Sequence, residues 1–198
     1  MSTISAKTVM QLREKTGAGI MDCKEALTEC NGDMDSAVDF LRKKGLATAA
    51  KRAGRAMTEG VIQSYIHMDG KLGVLVEVNC ETDFVAKNDD FNAFAKNLAM
   101  HIAAMNPVAI RPEDVPEEIV SKEKEIYHAQ VLEMGKPEKI ADKIVDGKMQ
   151  KYFKENCLMN QAYVRDPDMT IEDLLNEMIA KIGENISIKR FARFRIGE

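Results

Sequence analysis

The sequence contains no tryptophan, only five prolines and four cysteines among its 198 residues, and no long apolar run. No segment approaches the roughly 18–20 consecutive apolar residues of a membrane-spanning helix, so we expect no membrane span. The N-terminal residues also lack the basic-then-apolar pattern of a secretory signal, which favours a cytoplasmic location. The net charge of −4 argues against general nucleic-acid binding, which usually depends on a basic domain. This length is enough for one or two globular domains.

The four cysteines predict core packing rather than chemistry. None forms a C-x-x-C pair, and their spacing fits no zinc template. Cys23 and Cys30 share one face of a predicted helix with Ala26 and Leu27, and Cys80 lies on the apolar face of a predicted strand. We therefore expect no metal site and no cofactor.

Signatures of catalysis are also missing. The sequence has no G-x-x-x-x-G-K-[ST] phosphate loop, no G-x-S-x-G and no H-E-x-x-H, and its one Gly-Ala-Gly stretch follows a predicted helix rather than a strand. Carboxylates are abundant, but no partner base or metal set accompanies them. An enzyme is therefore the weaker class of function, and a protein that binds other macromolecules is the stronger one.

Three short helices are predicted in the first 45 residues. Ser5 and Asp33 are placed to cap the first and third helices, while Gly17 and Gly45 are placed to end them. The second helix should end at the Asn-Gly pair of residues 31–32, which suits a left-handed cap. Three helices in about forty residues make a small bundle, a unit that more often presents a surface than houses catalysis.

A basic segment follows, from residue 43 to residue 55. It holds five basic residues and no acidic one: Lys43, Lys44, Lys51, Arg52 and Arg55. Its alanines predict a basic connecting helix. Such a cluster can bind nucleic-acid phosphates, or it can be a solvated linker that faces an acidic surface. The negative net charge and the absence of aromatic residues for base stacking favour the linker.

From residue 60 the apolar pattern changes to a period of two. Residues 61–67 and 72–80 predict two strands, and the Asp-Gly pair between them predicts a hairpin. A third strand is predicted at 186–196, where the even-numbered residues form one apolar face that Arg190 interrupts. Strands separated by roughly a hundred residues of helix predict an α+β fold, in which helices cover a small antiparallel sheet.

The boundary between two expected domains falls near residue 55. Residues 1–55 would form the bundle with its basic linker helix, and residues 56–198 would form the α+β core. Within that core, two long charged segments at about 113–154 meet at residues 134–137, where Gly and Pro suit a turn. Their apolar stripes are narrow, which favours an antiparallel helical hairpin that projects into solvent.

The most informative stretch is the turn at residues 82–91. It reads Thr-Asp-Phe-Val-Ala-Lys-Asn-Asp-Asp-Phe and joins the strand at 72–80 to an amphipathic helix at 91–105. An aromatic residue such as Phe84 on a polar turn can anchor a partner protein. A lone phenylalanine is, however, more often part of the core. The composition of the turn leaves both interpretations open.

Three stretches of the chain resemble the elongation factor Ts family, the guanine-nucleotide exchange factors of the translation factor Tu. Residues 82–88 are similar to the signature Thr-Asp-Phe-Val-Ala-Lys-Asn of that family, and residues 12–27 resemble its N-terminal motif. Residues 181–186 resemble the start of its last strand. Because these stretches lie near the start, middle and end, the resemblance spans the chain.

The resemblance implies a set of partner-binding residues. In the family, the Asp and Phe of the signature, here Asp83 and Phe84, approach the magnesium and phosphate side of the GDP site of Tu. The exchange contact would comprise Thr82, Asp83, Phe84 and Val85. The N-terminal bundle would contribute Arg13, Ile20 and Met21. A weaker match places His67, Gly183 and Asn185 against the distal domain of Tu.

The resemblance also implies an architecture and an assembly. The N-terminal three-helix bundle would be UBA-like, and the hairpin at 113–154 resembles the coiled-coil arm of the family. The single sheet subdomain resembles the short form, which pairs as a homodimer. Tu would be bound in its GDP-bound and nucleotide-free forms, with no catalytic residue, cofactor or specific nucleic acid expected. From the residues alone, the alternative is an RNA-associated factor that uses segment 43–55 and the last strand.

Overall fold

The computed structural model describes residues 4–67, 69–134 and 137–198. The helices are α1 Ala6–Thr16, α2 Ile20–Glu29, α3 Met34–Arg52, α4 Asp83–Ala86, α5 Asp89–Met105, α6 Glu117–Glu133, α7 Glu138–Asn156 and α8 Ile171–Ile182. The strands are β1 Glu59–Ile66, β2 Leu72–Cys80, β3 Ala162–Tyr163, β4 Asp166–Thr170 and β5 Ile186–Arg195. Two short 3₁₀ turns lie at Pro112–Asp114 and Leu158–Asn160. Among the described residues, no helix combines the length and the apolar character needed to cross a membrane.

The chain divides into two compact units that each draw on several segments. The first unit comprises residues 1–63, 76–96 and 173–189, and the second comprises residues 64–75, 97–172 and 190–198. The domain boundary near residue 55 stays a prediction.

Helices α1, α2 and α3 pack around a small core in the first unit. Its buried members are Val9, Leu12, Cys23, Ala26, Leu27 and Ala37. The predicted caps are confirmed, because the side chain of Ser5 accepts a hydrogen bond from the Thr8 amide at 3.1 Å and that of Asp33 accepts one from the Ser36 amide at 2.8 Å. Gly17 ends α1 in the left-handed region with φ of 68°.

The predicted helix end at Gly45 is wrong. Helix α3 continues through this residue to Arg52, so the basic connecting helix is the second half of α3 rather than a separate element. Gly45 is buried, and a Cβ placed on it would lie 3.5 Å from the Cβ of Ala180 in α8. This packing, together with the helix-favouring alanines, outweighs the roughly 1 kcal/mol by which glycine weakens a helix interior.

Two arginines of α3 fasten it to α8. The guanidinium of Arg42 lies 2.6 Å from the carboxylate of Asp173, and Arg52 donates to the backbone carbonyl of Ile179 at 3.0 Å. The Ile179 carbonyl also accepts from the Gly183 amide at 3.0 Å, so Arg52 is a second donor to the last turn of α8.

The α+β prediction is confirmed, with a three-stranded sheet in the order β1-β2-β5. The His67 amide donates to Leu72 O at 2.8 Å across the β1–β2 hairpin, and the Ile196 amide donates to Lys71 O at 2.9 Å. The second bond joins the end of β5 to the start of β2, so these strands run antiparallel. The side chains of β2 alternate, and its buried set is Val74, Val76, Val78 and Cys80.

The apolar face predicted for β5 is only partly buried. Ile186 and Ile188 are buried, whereas Phe194 and Ile196 are 70% and 75% exposed. The alternation changes at the predicted interruption, because Lys189 and Arg190 are exposed in succession. The second half of the strand therefore leaves large apolar side chains uncovered.

A second, two-stranded sheet was absent from the sequence-based prediction. It pairs β3 with β4 antiparallel, with Ala162 opposite Thr170 and Tyr163 opposite Asp166. A two-residue strand is too short to show an alternating pattern, and the partner strand begins with an Asp-Pro pair that is typical of a turn.

The predicted helical hairpin corresponds to α6 and α7. Their shared core comprises Val131, Ala141, Val145 and Met149. Lys148 of α7 donates to the side chain of Gln130 at 2.7 Å and lies 5.2 Å from the centre of the Tyr127 ring of α6. These contacts confirm two helices packed side by side. Of the predicted turn at 134–137, residues 135 and 136 lie outside the described residues, and the projection of the hairpin into solvent stays a prediction.

Candidate partner-binding site

Phe84 lies on the surface of a one-turn helix, and its side chain is 81% exposed. Helix α4 begins after Thr82, whose hydroxyl accepts a hydrogen bond from the Val85 amide at 3.4 Å. The core beneath the following helix is already filled by Phe91 and Phe94, which are buried. Of the two interpretations of Phe84 that the sequence left open, the core interpretation is wrong, because the side chain is exposed.

A charged pair flanks Phe84. The carboxylate of Asp83 accepts a hydrogen bond from the ammonium of Lys87 at 2.7 Å, one helical turn later. This hydrogen bond holds the pKa of Asp83 below its usual value and raises the pKa of Lys87. Asp83 therefore presents an ionised carboxylate beside the exposed ring at neutral pH.

The carboxylate of Glu184 supports this turn from the loop that precedes β5. One of its oxygens accepts from the backbone amides of Glu81 and Thr82 at 3.1 and 3.0 Å. The other oxygen accepts from the Thr82 hydroxyl at 2.6 Å. Charge-assisted hydrogen bonds of this kind are roughly twice as strong as neutral ones.

The carboxylate of Glu81 makes a second connection between the same two segments, in the opposite direction. Glu81 accepts a hydrogen bond from the Asn185 amide at 2.6 Å and is approached by the guanidinium of Arg55 at 3.4 Å. The side-chain amide of Asn185 donates to the carbonyl of Arg55 at 3.1 Å. Residues 81–82 and 184–185 thus hold each other through reciprocal bonds, which we call the Glu184 clamp.

The far end of α4 is also tied down. The Asn88 side chain accepts from the amides of Asp90 and Phe91 at 2.8 and 3.3 Å, which caps α5. The side-chain amide of Asn92 donates to the carbonyls of Ala86 and Asn88 at 3.0 and 2.9 Å. Phe84 is therefore an exposed aromatic residue on a turn whose two ends are both fixed.

The residues expected from the N-terminal bundle are accessible. Ile20 and Met21 occupy the first turn of α2 and are 48% and 73% exposed, while Arg13 is exposed on α1. Met21 lies on the side of α2 opposite the buried residues Cys23, Ala26 and Leu27, whereas Ile20 lies one turn before Cys23, at the edge of the buried stripe. Met21 and the exposed part of Ile20 thus form an apolar surface that the bundle itself does not use.

Lys181 connects this bundle to the turn of Phe84 within the first compact unit. Its ammonium lies 2.8 Å from the carboxylate of Asp90 at the start of α5. Its aliphatic stem passes Gly17, where an added Cβ would lie 3.7 Å from the stem. The loop between α1 and α2 and the segment that follows α4 therefore meet at the end of α8.

The three residues of the weaker match lie in different settings. His67 is exposed beside the Tyr65 hydroxyl, which lies 3.0 Å from its ring nitrogen, and it belongs to the second compact unit. Gly183 ends α8 with φ of 89°. Asn185 is only 4% exposed, and its side chain is engaged inside the clamp. Their contact with a partner stays a prediction.

All four cysteines lie in the described part of the chain and are free thiols. Cys23 and Cys80 are buried and Cys30 is partly buried, as the core interpretation predicts, and Cys157 is buried as well. Burial raises the pKa of the Cys80 thiol to about 11, and this thiol donates to the Thr82 carbonyl at 3.2 Å. It therefore stays protonated at neutral pH and supports the turn rather than acting as a nucleophile.

The sequence-based prediction missed the clamp. Glu184 binds Thr82, and Glu81 binds Asn185, across about a hundred residues of sequence. No local sequence pattern predicts hydrogen bonds between such distant residues. The available signal was the position of Glu184 inside the 181–186 stretch, between a helix-ending glycine and a strand, where a charged residue lies close to a loop backbone.

Comparison with known proteins agrees with the resemblance of the three stretches. A family model described as Elongation factor TS matches residues 48–198. An elongation factor Ts of Desulfosudis oleivorans is 67% identical over 198 residues, which is 100% of both chains. One of Geobacter sulfurreducens is 61% identical over 99% of this chain and 91% of its own length, and one of Caldanaerobacter subterraneus is 60% identical over 98% of each. The chain belongs to the elongation factor Ts family.

Proposed function

We propose that this translation elongation factor binds elongation factor Tu and promotes the release of GDP from it. The exposed Phe84, held on a turn that is fixed at both ends, is the observation that supports this proposal most. An aromatic residue that is ordered before binding loses little conformational entropy when it enters a partner pocket. A large apolar side chain that is exposed to water, as Phe84 is, adds little to the folding stability of the free protein, because it does not fill the core.

The mechanism follows from thermodynamic linkage. Phe84 would enter an apolar pocket of the nucleotide domain of Tu, displace a helix there and loosen the phosphate loop. Asp83, ionised at neutral pH, would disturb the water and side-chain network around the magnesium ion. If the factor binds nucleotide-free Tu more tightly than GDP-bound Tu, it must weaken GDP binding by the same factor. The protein makes and breaks no covalent bond in this scheme.

The N-terminal bundle would supply a second grip on the same domain of Tu. Ile20 and Met21 offer the apolar part of this contact and Arg13 a positive charge. Because Lys181 brings the α1–α2 loop and the segment after α4 to the end of α8, both grips can reach one partner domain. The UBA-like character of the bundle belongs to this proposal, as do the cytoplasmic setting and the contacts of His67, Gly183 and Asn185 with the distal domain of Tu.

A homodimer through the open side of the sheet is the second part of the proposal. Ile66, Leu75, Phe194 and Ile196 are exposed and line one groove in the second compact unit. The outer strands β1 and β5 also present edges that favour pairing. A second copy brings an identical apolar surface, and a two-fold axis lets each copy cover the other.

The dimer is tested by sedimentation at micromolar concentration. Phe194→Lys should convert the dimer to a monomer, because it places a charge in the apolar contact. Val108→Lys is the matched control, since Val108 is exposed but lies outside the groove. A wild-type protein that sediments as a monomer contradicts this part of the proposal.

The RNA-associated alternative is disfavoured by the contacts of the basic segment. Lys44 pairs with the carboxylates of Asp22 and Glu25 at 2.8 and 2.7 Å. Arg52 donates to a carbonyl of α8, and Arg55 approaches Glu81. Cations that are already engaged by acidic or carbonyl oxygens are less available for phosphate.

The exchange function is tested with Tu loaded with a fluorescent GDP. Wild-type protein should accelerate GDP release in the presence of excess unlabelled GDP, and heat-denatured protein should not. A release rate that is the same with and without the folded protein contradicts the proposal. Retention on RNA that falls steeply with salt, without any effect on Tu, would favour the alternative.

A further inference from the structure

The turn that carries Phe84 is too short to fix its own orientation. Helix α4 contains four residues, and its backbone bonds are limited to one turn, from the amides of residues 86, 87 and 88 to the carbonyls of residues 82, 83 and 85. A single helical turn is unstable by itself, because it orders several residues for few hydrogen bonds. The direction in which the Phe84 ring leaves the surface is therefore set by groups outside α4.

Glu184 is the external group with the most direct hold on the start of this turn. Its carboxylate accepts all three of the donors offered by Glu81 and Thr82: two backbone amides and one hydroxyl, at 3.1, 3.0 and 2.6 Å. The same hydroxyl caps α4 by accepting from the Val85 amide. A continuous chain of hydrogen bonds thus runs from Glu184 through Thr82 to Val85, the residue next to Phe84.

We propose that Glu184 is a positioning residue for nucleotide exchange, which acts by setting the orientation of Phe84 without touching the partner. This inference rests on the proposed function, in which Phe84 enters a pocket of Tu. A misplacement of about 1 Å at a reacting or binding group can cost up to about a hundredfold in rate. Loss of the Glu184 carboxylate frees Thr82, so the ring samples other directions and the productive one becomes rarer.

The return bond of the clamp explains why Glu184 is the residue to vary. The hydrogen bond from Asn185 to the Glu81 carboxylate comes from the backbone amide of Asn185, so no substitution of the Asn185 side chain removes it. Glu184 contributes only through its carboxylate, and its substitution leaves that return bond in place. The loop before β5 therefore keeps one connection to Glu81 when Glu184 is changed.

Three variants test the proposal in the full chain. Glu184→Ala removes the acceptor for all three donors and should slow the stimulated release of fluorescent GDP from Tu by about tenfold to a hundredfold. Glu184→Gln retains one oxygen that can accept both backbone amides and a nitrogen that can donate to the Thr82 hydroxyl, so it should stay within about fivefold of wild type. Glu172→Ala, at an exposed glutamate of α8, is the matched control and should exchange normally.

A double-mutant cycle with Phe84→Ala separates positioning from a general effect on the fold. If Glu184 acts through Phe84, Glu184→Ala should slow exchange strongly in the wild-type background and at most about twofold in the Phe84→Ala background. Equal effects in both backgrounds overturn the proposal, because they place the role of Glu184 elsewhere. Where Glu184→Ala fails to fold, Thr82→Val carries the same test, because it removes the hydroxyl that links the Glu184 carboxylate to the Val85 amide.

The cycle also distinguishes failure of this inference from failure of the proposed function. Normal exchange by Glu184→Ala, with slow exchange by Phe84→Ala, overturns the role of Glu184 and leaves the role of Phe84 intact. Normal exchange by Phe84→Ala contradicts the role that the proposed function gives to Phe84 and overturns the inference with it. Absence of stimulation by the wild-type protein contradicts the proposed function itself.

Discussion

Replacing Phe84 by alanine separates a surface anchor from a core residue. A phenylalanine presents roughly 200 Å² of surface, and Phe84 is 81% exposed, so only about 40 Å² is buried in the free protein. At about 25 cal/mol per Å² this burial is worth roughly 1 kcal/mol. The melting temperature of Phe84→Ala should therefore fall by only about 2–4 °C.

The effect on exchange should be much larger. The remaining surface of roughly 160 Å², if it is buried in Tu, is worth up to about 4 kcal/mol, and aromatic hot spots are typically worth about 2 kcal/mol or more. These energies correspond to a loss of roughly 30-fold to 1,000-fold in stimulated GDP release. The assay follows fluorescent GDP leaving Tu at limiting concentrations of wild type and variant.

Phe91→Ala is the matched control for this substitution. Phe91 is fully buried at the start of α5, so its loss should cost about 3–5 kcal/mol of folding free energy. This corresponds to a fall in melting temperature of roughly 6–20 °C. If Phe84→Ala melts as early as Phe91→Ala, or if it exchanges at the wild-type rate, the assignment of Phe84 as an anchor is refuted.

Gly60, His101 and the N-terminal bundle each allow a further test. Gly60→Ala should destabilise the fold by about 2 kcal/mol or more, because Gly60 has φ of 154° and an added Cβ would overlap the Val78 carbonyl. Gly32→Ala is the control and should cost about 1 kcal/mol, because Gly32 has φ of 86° but open space around it. Equal melting temperatures of the two variants would refute the steric argument. Burial lowers the pKa of His101, so the contribution of His101 to stability is complete above its unfolded pKa of about 6.5 and is lost as the pH falls through the lower folded pKa. The melting temperature of His101→Gln should therefore depend less on acid between pH 5 and 8 than that of the wild type. An unchanged dependence would mean that another group titrates. Deletion of residues 1–53 should leave a truncated protein, residues 54–198, that is folded by circular dichroism and binds Tu more weakly. Global unfolding would contradict the predicted boundary, and undiminished binding would contradict the role of the bundle.

Helix caps and strand patterns, which depend on residues that are close in the sequence, were predictable from the sequence. Ser5, Asp33 and Gly17 cap their helices as expected, because a cap depends on a few neighbouring residues. The alternation of β2 and the Asp-Gly hairpin before it were also readable for the same reason. These features determined the α+β class.

The errors lie where distant contacts decide the outcome. A glycine at position 45 predicts a helix end, but α3 continues because Gly45 packs against Ala180 of α8. The residues near Gly45 in the sequence contain no signal for that distant contact. The even-numbered face of β5 is apolar on both sides of Arg190, but Arg193 turns inward to donate to the Ala103 carbonyl at 3.4 Å, while Phe194 is left exposed. Strand β3 has two residues and therefore carries no period at all.

The candidate site was predictable only in part. The residues of the 82–88 turn left the exposed and the buried interpretation of Phe84 open, and the choice depended on how the surrounding core is filled. The family resemblance supplied the roles expected for Asp83, Phe84 and the bundle residues, and these roles remain proposals. The Glu184 clamp required the structure, because it joins two loops that are far apart in the sequence.

The affinity of this protein for Tu in its two nucleotide states decides whether it promotes GDP release through linkage. Titration calorimetry would measure binding to nucleotide-free Tu and to Tu saturated with GDP and magnesium, and a parallel titration would measure GDP binding to Tu with and without this protein. We expect tighter binding to nucleotide-free Tu, by the same factor by which this protein weakens GDP binding. Equal affinity for the two states would contradict it, because a partner that does not distinguish them cannot weaken the equilibrium binding of GDP to Tu.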